Sequence, residues 1–218
     1  DSHPGVREHA VRVSEKEHAD LIASRIKDES IRVRRQVGFS LGEWKDPRVA
    51  EALVELALAN SEEPRVQEAI KSSSLPHAAA MLKLLFQAPV KAPADLVSDL
   101  IRFAILDDNL GPLVQVLNET AAEKDLERQF TLMAGFVGAI EQRKESLDQF
   151  QGRLAKNSKD GMQAIETVFS NVRATAQDDD ADDAARVSAI KLLGRGPTKQ
   201  REDMGLLSKL LAADELPF

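Results

Sequence analysis

Two short stretches of the chain read alike, and that likeness limits the fold more than any other feature. Residues 1–10, DSHPGVREHA, align with residues 28–37, DESIRVRRQV. Each opens on Asp, runs four residues, places Val-Arg, and sets a small apolar residue after two more. A third copy starts at Asp180, with Arg186, Ala189, Leu193 and Gly194 repeating the spacing of Arg34, Val37, Leu41 and Gly42. A weaker copy runs through Pro64–Ile70, where Ser61 and Gln67 stand in the places of Asp and Arg. Repetition at this period means supersecondary units that bury their apolar faces against one another.

Each unit is helical by pattern. Apolar residues recur at helical spacing in segments broken by Pro, Gly and polar clusters, and no alternating run or Asn-Gly hairpin turn marks a strand. Helices are predicted over 4–15, 17–27, 30–44, 47–59, 64–74, 76–87, 93–107, 110–118, 123–143, 146–155, 159–176, 181–194 and 200–212. Pro47, Pro64, Pro76 and Pro93 suit first helical positions, where a missing N–H costs nothing. Ser30 and Asp46 suit N-caps, while Gly194 and Gly196-Pro197 close a helix. Aromatics are only 4 % of the chain against 43 % hydrophobic residues, so the cores are expected to be aliphatic. Gly38 and Gly42 leave a groove on 30–44 where another helix can come close, and apolar residues on two sides predict that this helix is sandwiched.

The repeat resembles the HEAT repeat, a helix-turn-helix unit in which Asp closes one helix and Val-Arg opens the next. The resemblance covers 1–87 and 178–212 and fades over 88–177. It implies an all-α chain, a right-handed α-α superhelix of antiparallel helix pairs forming one solenoid domain over 1–218. In such arrays Asp and Arg form a ladder of ion pairs between neighbouring repeats. Carried over by position, that role falls to Asp1 and Arg7, Asp28 and Arg34, and Asp180 and Arg186, with Ser61 and Gln67 interrupting the ladder. Arginine suits such a rung because its planar fork bridges a carboxylate and helix-end carbonyls at once. The phrases IRVRRQVGFSLGEWKDPR (31–48), AIKSSSLPHAAAMLKLL (69–85) and RVSAIKLLGRG (186–196) also resemble the helical-repeat region of large planctomycete-type proteins. Those proteins join a sorbosone/glucose-dehydrogenase-like propeller, HEAT repeats and a c-type cytochrome domain. That resemblance implies an accessory piece of an exported or periplasmic redox protein.

Among candidate sites, the cluster Arg32, Arg34 and Arg35 invites a nucleic-acid reading. A net charge of −7 and few stacking aromatics oppose it. With no cysteine, the chain has no thiolate metal site and no Cys nucleophile. No apolar run is long enough to span a membrane. The acidic run 177–183 lacks the Gly and bidentate Glu of a calcium loop and reads as an exposed loop feeding a helix N-terminus. His3, His9, His18 and His77 show no zinc spacing, and His77 reads as a cap or surface residue. Ser72–Ser74 has no nucleophile elbow, and no phosphate loop occurs. What remains is the face of the second helices, with Arg25, Arg48, Glu51, Glu55, Lys83 and Gln87 at helical spacing. The expected function is a non-catalytic scaffold with no cofactor, a fragment of a larger protein that binds protein partners or neighbouring domains along that face.

Overall fold

A computed structural model describes residues 2–14, 18–44, 46–88, 90–107, 110–155 and 160–212. Among them the protein is all-α, with thirteen α-helices and no strand. The helices are α1 (Pro4–Val13), α2 (Ala19–Ala23), α3 (Ile31–Leu41), α4 (Arg48–Ala59), α5 (Pro64–Ser73), α6 (Ala78–Gln87) and α7 (Ala94–Leu106). They continue with α8 (Leu110–Ala122), α9 (Leu126–Gln142), α10 (Leu147–Ala155), α11 (Asp160–Gln177), α12 (Asp183–Leu192) and α13 (Gln200–Ala212). Each falls on a predicted segment, and α2 is the most shortened. Its predicted continuation to residue 27 is instead a run of tight turns, with Arg25, Ile26 and Asp28 donating to the carbonyls three residues back. Pro64 takes the first helical position as expected, whereas Pro47 and Pro93 stand one residue before their helices. Asp46 stands one residue before the cap position of α4, which Pro47 holds, and its Oδ1 accepts from the Arg48 backbone at 2.9 Å. Ser30 stands at the cap of α3 in extended backbone, but its hydroxyl makes no capping bond.

The chain divides into two compact units, Asp1–Asp107 and Asp108–Phe218. In the first unit, alternate helices pack together: α3 lies between α1 and α5, α4 packs on α6, and α7 closes against α5 and α6. The patterning explains this. Helix α3 buries Val33, Val37, Ser40 and Leu41 along one stripe, with Gly38 buried beside it. Helix α4 buries seven of its twelve residues and keeps Glu51 and Glu55 outside, so it is covered on most sides. Each fully buried Val, Leu or Ile stabilises by roughly 1.5–3 kcal/mol. Apart from the buried Trp44 the core is aliphatic, as expected: Phe39, Phe86 and Phe103 are only half-buried.

The second unit packs differently. Helix α11 lies between α8 and α12, α12 packs on α9, and α9 returns to α8, with α10 laid against α9 and α11. Two of the main pairings, α8 with α11 and α9 with α12, are thus three apart along the chain, and α11 with α12 joins neighbours. Its core departs from the aliphatic expectation, because Phe130, Phe136, Phe150 and Phe169 are all fully buried. The Phe136 and Phe150 rings meet edge to face, 5.2 Å between centroids, a geometry favoured by the ring quadrupoles. Aromatics are scarce over the whole chain, and the four fully buried phenylalanines are gathered in this unit, while Trp44 is buried in the first. Gly194 takes φ +79° after α12, the left-handed conformation that glycine adopts without penalty. Gly42, placed by the same sequence spacing, keeps a helical φ of −66° and serves close packing instead.

Candidate functional site

The polar residues of the repeat meet between consecutive first helices. Arg7 of α1 reaches the turn before α3, where Nε donates to Asp28 Oδ2 and Nη2 to Oδ1, both at 2.9 Å. The Asp28 side chain is 3 % exposed. The Arg7 guanidinium holds that carboxyl below the ordinary aspartate range, helped by the backbone N–H of Ser30. Asp28 in turn raises the pKa of Arg7. Arg34 of α3 repeats the gesture one unit on. Its Nε donates to Asn60 Oδ1 at 2.7 Å, and Nη1 to the carbonyls of Asp28 at 2.8 Å and Glu29 at 3.1 Å. Asn60 therefore receives the rung, one residue before the Ser61 that the alignment selected. Gln67 of α5 keeps only half of the pattern. Its Nε2 donates to the carbonyls of Ala57 and Asn60, both at 2.9 Å, closing the end of α4. Asp1 lies outside the described residues.

Arg7 of one repeat joins the Asp28 carboxylate of the next, whereas Arg34 meets the Asp28 backbone carbonyl of its own repeat and the Asn60 amide of the next. Arg186 does not form such a rung. It pairs with Asp179 at 2.6 Å inside the acidic loop, and Asp180 is exposed. The run 177–183 feeds α12 instead, with Asp182 Oδ1 accepting from the backbones of Ala184 and Ala185. Negative charge there is favoured by the helix dipole.

The second unit has its own buried polar centres, which the repeat alignment does not find. Gln129 of α9 is fully buried, and its Nε2 donates to the carbonyls of Thr120, Ala121 and Glu123 at the end of α8. Its Oε1 accepts from Asn171 Nδ2 at 2.9 Å. Asp203 of α13, 0 % exposed at its side chain, accepts from Arg173 Nε at 2.6 Å and from the Gly194 backbone at 3.0 Å. Arg173 also donates to the carbonyls of Phe169 and Thr198. The available signal was a lone polar residue on an otherwise apolar helical stripe, as at Gln129 in line with Met133 and Phe136 on the face of α9.

The six residues assigned to the interaction face are all exposed: Arg25 after α2, Arg48, Glu51 and Glu55 on α4, and Lys83 and Gln87 on α6. Two ion pairs bridge α2 and the turns after it to α4, Arg48 with Asp20 at 2.7 Å and Lys27 with Glu55 at 2.8 Å. Arg48 also grips Asp46, whose carboxyl it lowers to about 2. Asp20 and Lys27 belong to this charged strip although helical spacing did not select them. Glu51 and Glu55 stand four apart on α4, as Lys83 and Gln87 do on α6, so each pair shares one helix face.

His77 is not on the surface. It sits at the end of a single 3₁₀ turn, Leu75–His77, and is buried, with burial lowering its pKa against a hydrogen bond that the ring donates to the Trp44 backbone and that raises it. A cleft of about 370 Å³ opens between the turn after α4 and the starts of α5 and α7, lined by Glu62, Gln67, Glu68, Lys71 and Asp95 among others. It lies where the polar rungs stop. Lys71 is already engaged by Asp99 at 2.9 Å. No group of His, Cys, Asp and Glu able to hold a metal occurs among the described residues, and no helix there is long and apolar enough to cross a membrane. Compared with known proteins, the chain matches no family model, no curated protein and no solved structure.

Proposed function

We propose that the first unit is a HEAT-like stack of helix pairs, a right-handed superhelical segment, and that the protein works as a non-catalytic scaffold. Its charged strip on α2, α4 and α6 receives a protein partner or a neighbouring domain. The observation that carries this reading is the pair of rungs Arg7–Asp28 and Arg34–Asn60, which tie consecutive first helices in the sequence register of the repeat. Such rungs hold a row of second helices in fixed order. The partner-facing strip is mixed in charge, which suits a peptide or domain surface of alternating sign better than a polyanion. Ion pairs this exposed contribute little stability, so they are free to be exchanged for a partner's charges.

A direct test installs a photo-crosslinking amino acid at Glu51 or Lys83 and identifies the adducts by mass spectrometry. Reversing the strip with Arg48→Glu, Glu55→Lys and Lys83→Glu is expected to abolish those adducts while leaving the melting temperature within a few degrees. Unchanged adducts in the reversed variant, or turnover of any substrate by the purified chain, overturns the reading.

A further inference from the structure

Three positions recur in register on the first helices of the three repeats. They are Val6, Val33 and Val66, then Ala10, Val37 and Ile70, then Val13, Ser40 and Ser73. On α3 and α5 all of them are buried, the four Val and Ile positions completely. The cause is the helix ahead. Ser40 Oγ donates to the Val11 carbonyl of α1 at 3.3 Å, and Ser73 Oγ to the Phe39 carbonyl of α3 at 3.4 Å. On α1 the same three positions are open: Val6 is 49 % exposed, Val13 is 61 % exposed, and Ala10 is exposed between them. Their spacing of four and three residues makes one apolar stripe. Helix α2 of the same pair adds Leu21, 54 % exposed. The neighbouring charges are otherwise engaged, Glu8 with Arg32 at 2.7 Å and Arg12 with His9 at 2.8 Å.

We infer that this face of α1 is a docking face for one further helix pair of the same repeat kind, stacked ahead of α1 as α1 is stacked ahead of α3. The occupant's chemistry follows from what α1 offers α3: a small apolar residue at the place of Val11, which is buried there, and an arginine at the place of Arg7. Sequence register aligns Asp1 with Asp28. A stripe of this kind is what a repeat inside an array carries, whereas a terminal repeat is polar on its outer face. The inference rests on the repeat reading of the first unit but not on the partner-binding role of α2, α4 and α6.

The test uses the full chain with residues 1–27 duplicated ahead of Asp1, so that the copied arginine stands in register with Asp1. Docking is expected to raise the melting temperature of the first unit, followed by Trp44 fluorescence, by about 5 °C or more. It is also expected to protect the α1 amides from hydrogen exchange. Val6→Lys with Val13→Lys in the original α1 should cancel both gains in the duplicated protein and leave the unduplicated protein's melting temperature nearly unchanged. A duplicated protein with neither gain overturns the inference. So does a clear loss of stability on adding the two lysines to the unduplicated protein, because the stripe would then already be covered. Concentration-dependent self-association that the two lysines abolish overturns it as well, since the occupant would be a second copy. None of these outcomes touches the crosslinks from Glu51 and Lys83, so failure here is distinguishable from failure of the scaffold reading.

Discussion

Arg32 and Arg34 stand two residues apart on one helix and do unlike work. Arg34 joins the turn before its own helix to the turn before the next, with three hydrogen bonds to Asn60, Asp28 and Glu29. Arg32 extends into solvent, its side chain 69 % exposed, and holds only Glu8. Arg34→Ala is therefore expected to cost about 1–3 kcal/mol, because carbonyls at the turn lose their donor. Arg32→Ala should stay within about 0.5 kcal/mol. Urea unfolding followed by Trp44 fluorescence separates the two, and equal losses would remove the distinction. His77 supplies a second residue-level prediction. Its folded pKa is lowered, so the unfolded chain binds more protons; stability is complete above the unfolded value of about 6.5 and falls as pH drops through the folded value. Asp28, also lowered, does the same in a separate window below about pH 4. Thermal melts across pH should show His77→Gln flattening the slope just below neutrality while Asp28→Asn changes only the acid limb.

At the scale of elements, the decisive contact is the crossing of α3 and α5. A Cβ built on Gly42 would lie 2.3 Å from Ser73 Cβ and 2.7 Å from Ser73 Cα, and one on Gly38 would lie 3.0 Å from Ala69 Cβ. The first of these distances demands movement of backbone, the second only a small adjustment. Gly42→Ala should then destabilise the first unit by about 1–3 kcal/mol through overpacking, and Gly38→Ala by less. Adding Ser73→Gly to Gly42→Ala should recover part of the loss, which a double-mutant cycle measures as coupling. Additive losses would mean that the two helices do not meet as described.

Over the whole molecule, two units with different cores should report separately. Trp44, the sole tryptophan, is buried in the first unit, and the buried phenylalanines lie in the second. Phe136→Ala is expected to lower the second unit's stability by about 3–5 kcal/mol. Its effect should show in the far-ultraviolet circular dichroism melt and leave the Trp44 fluorescence midpoint in place. Arg34→Ala should do the reverse. A Phe136→Ala variant in which both signals shift together would show that the two units unfold as one.

Local information was enough for the helices. Spacing of apolar residues, Pro64 at a helix start and Gly194 at a helix end are set within a few residues, so all thirteen segments could be read in order. The polar rungs were half legible. Arg7, Asp28 and Arg34 stood out through their repeat, but which carboxylate or amide each arginine meets depends on the length of the intervening turn. That is why Asn60 and not Ser61 receives Arg34. The second unit hid its structure because a helix with one apolar face can satisfy it against the second helix along or the third. Periodicity is the same in both cases. Only the tertiary packing decided that α3 lies between α1 and α5 while α11 lies between α8 and α12, since burial depends on which surfaces complement each other in space and not on their order in the chain.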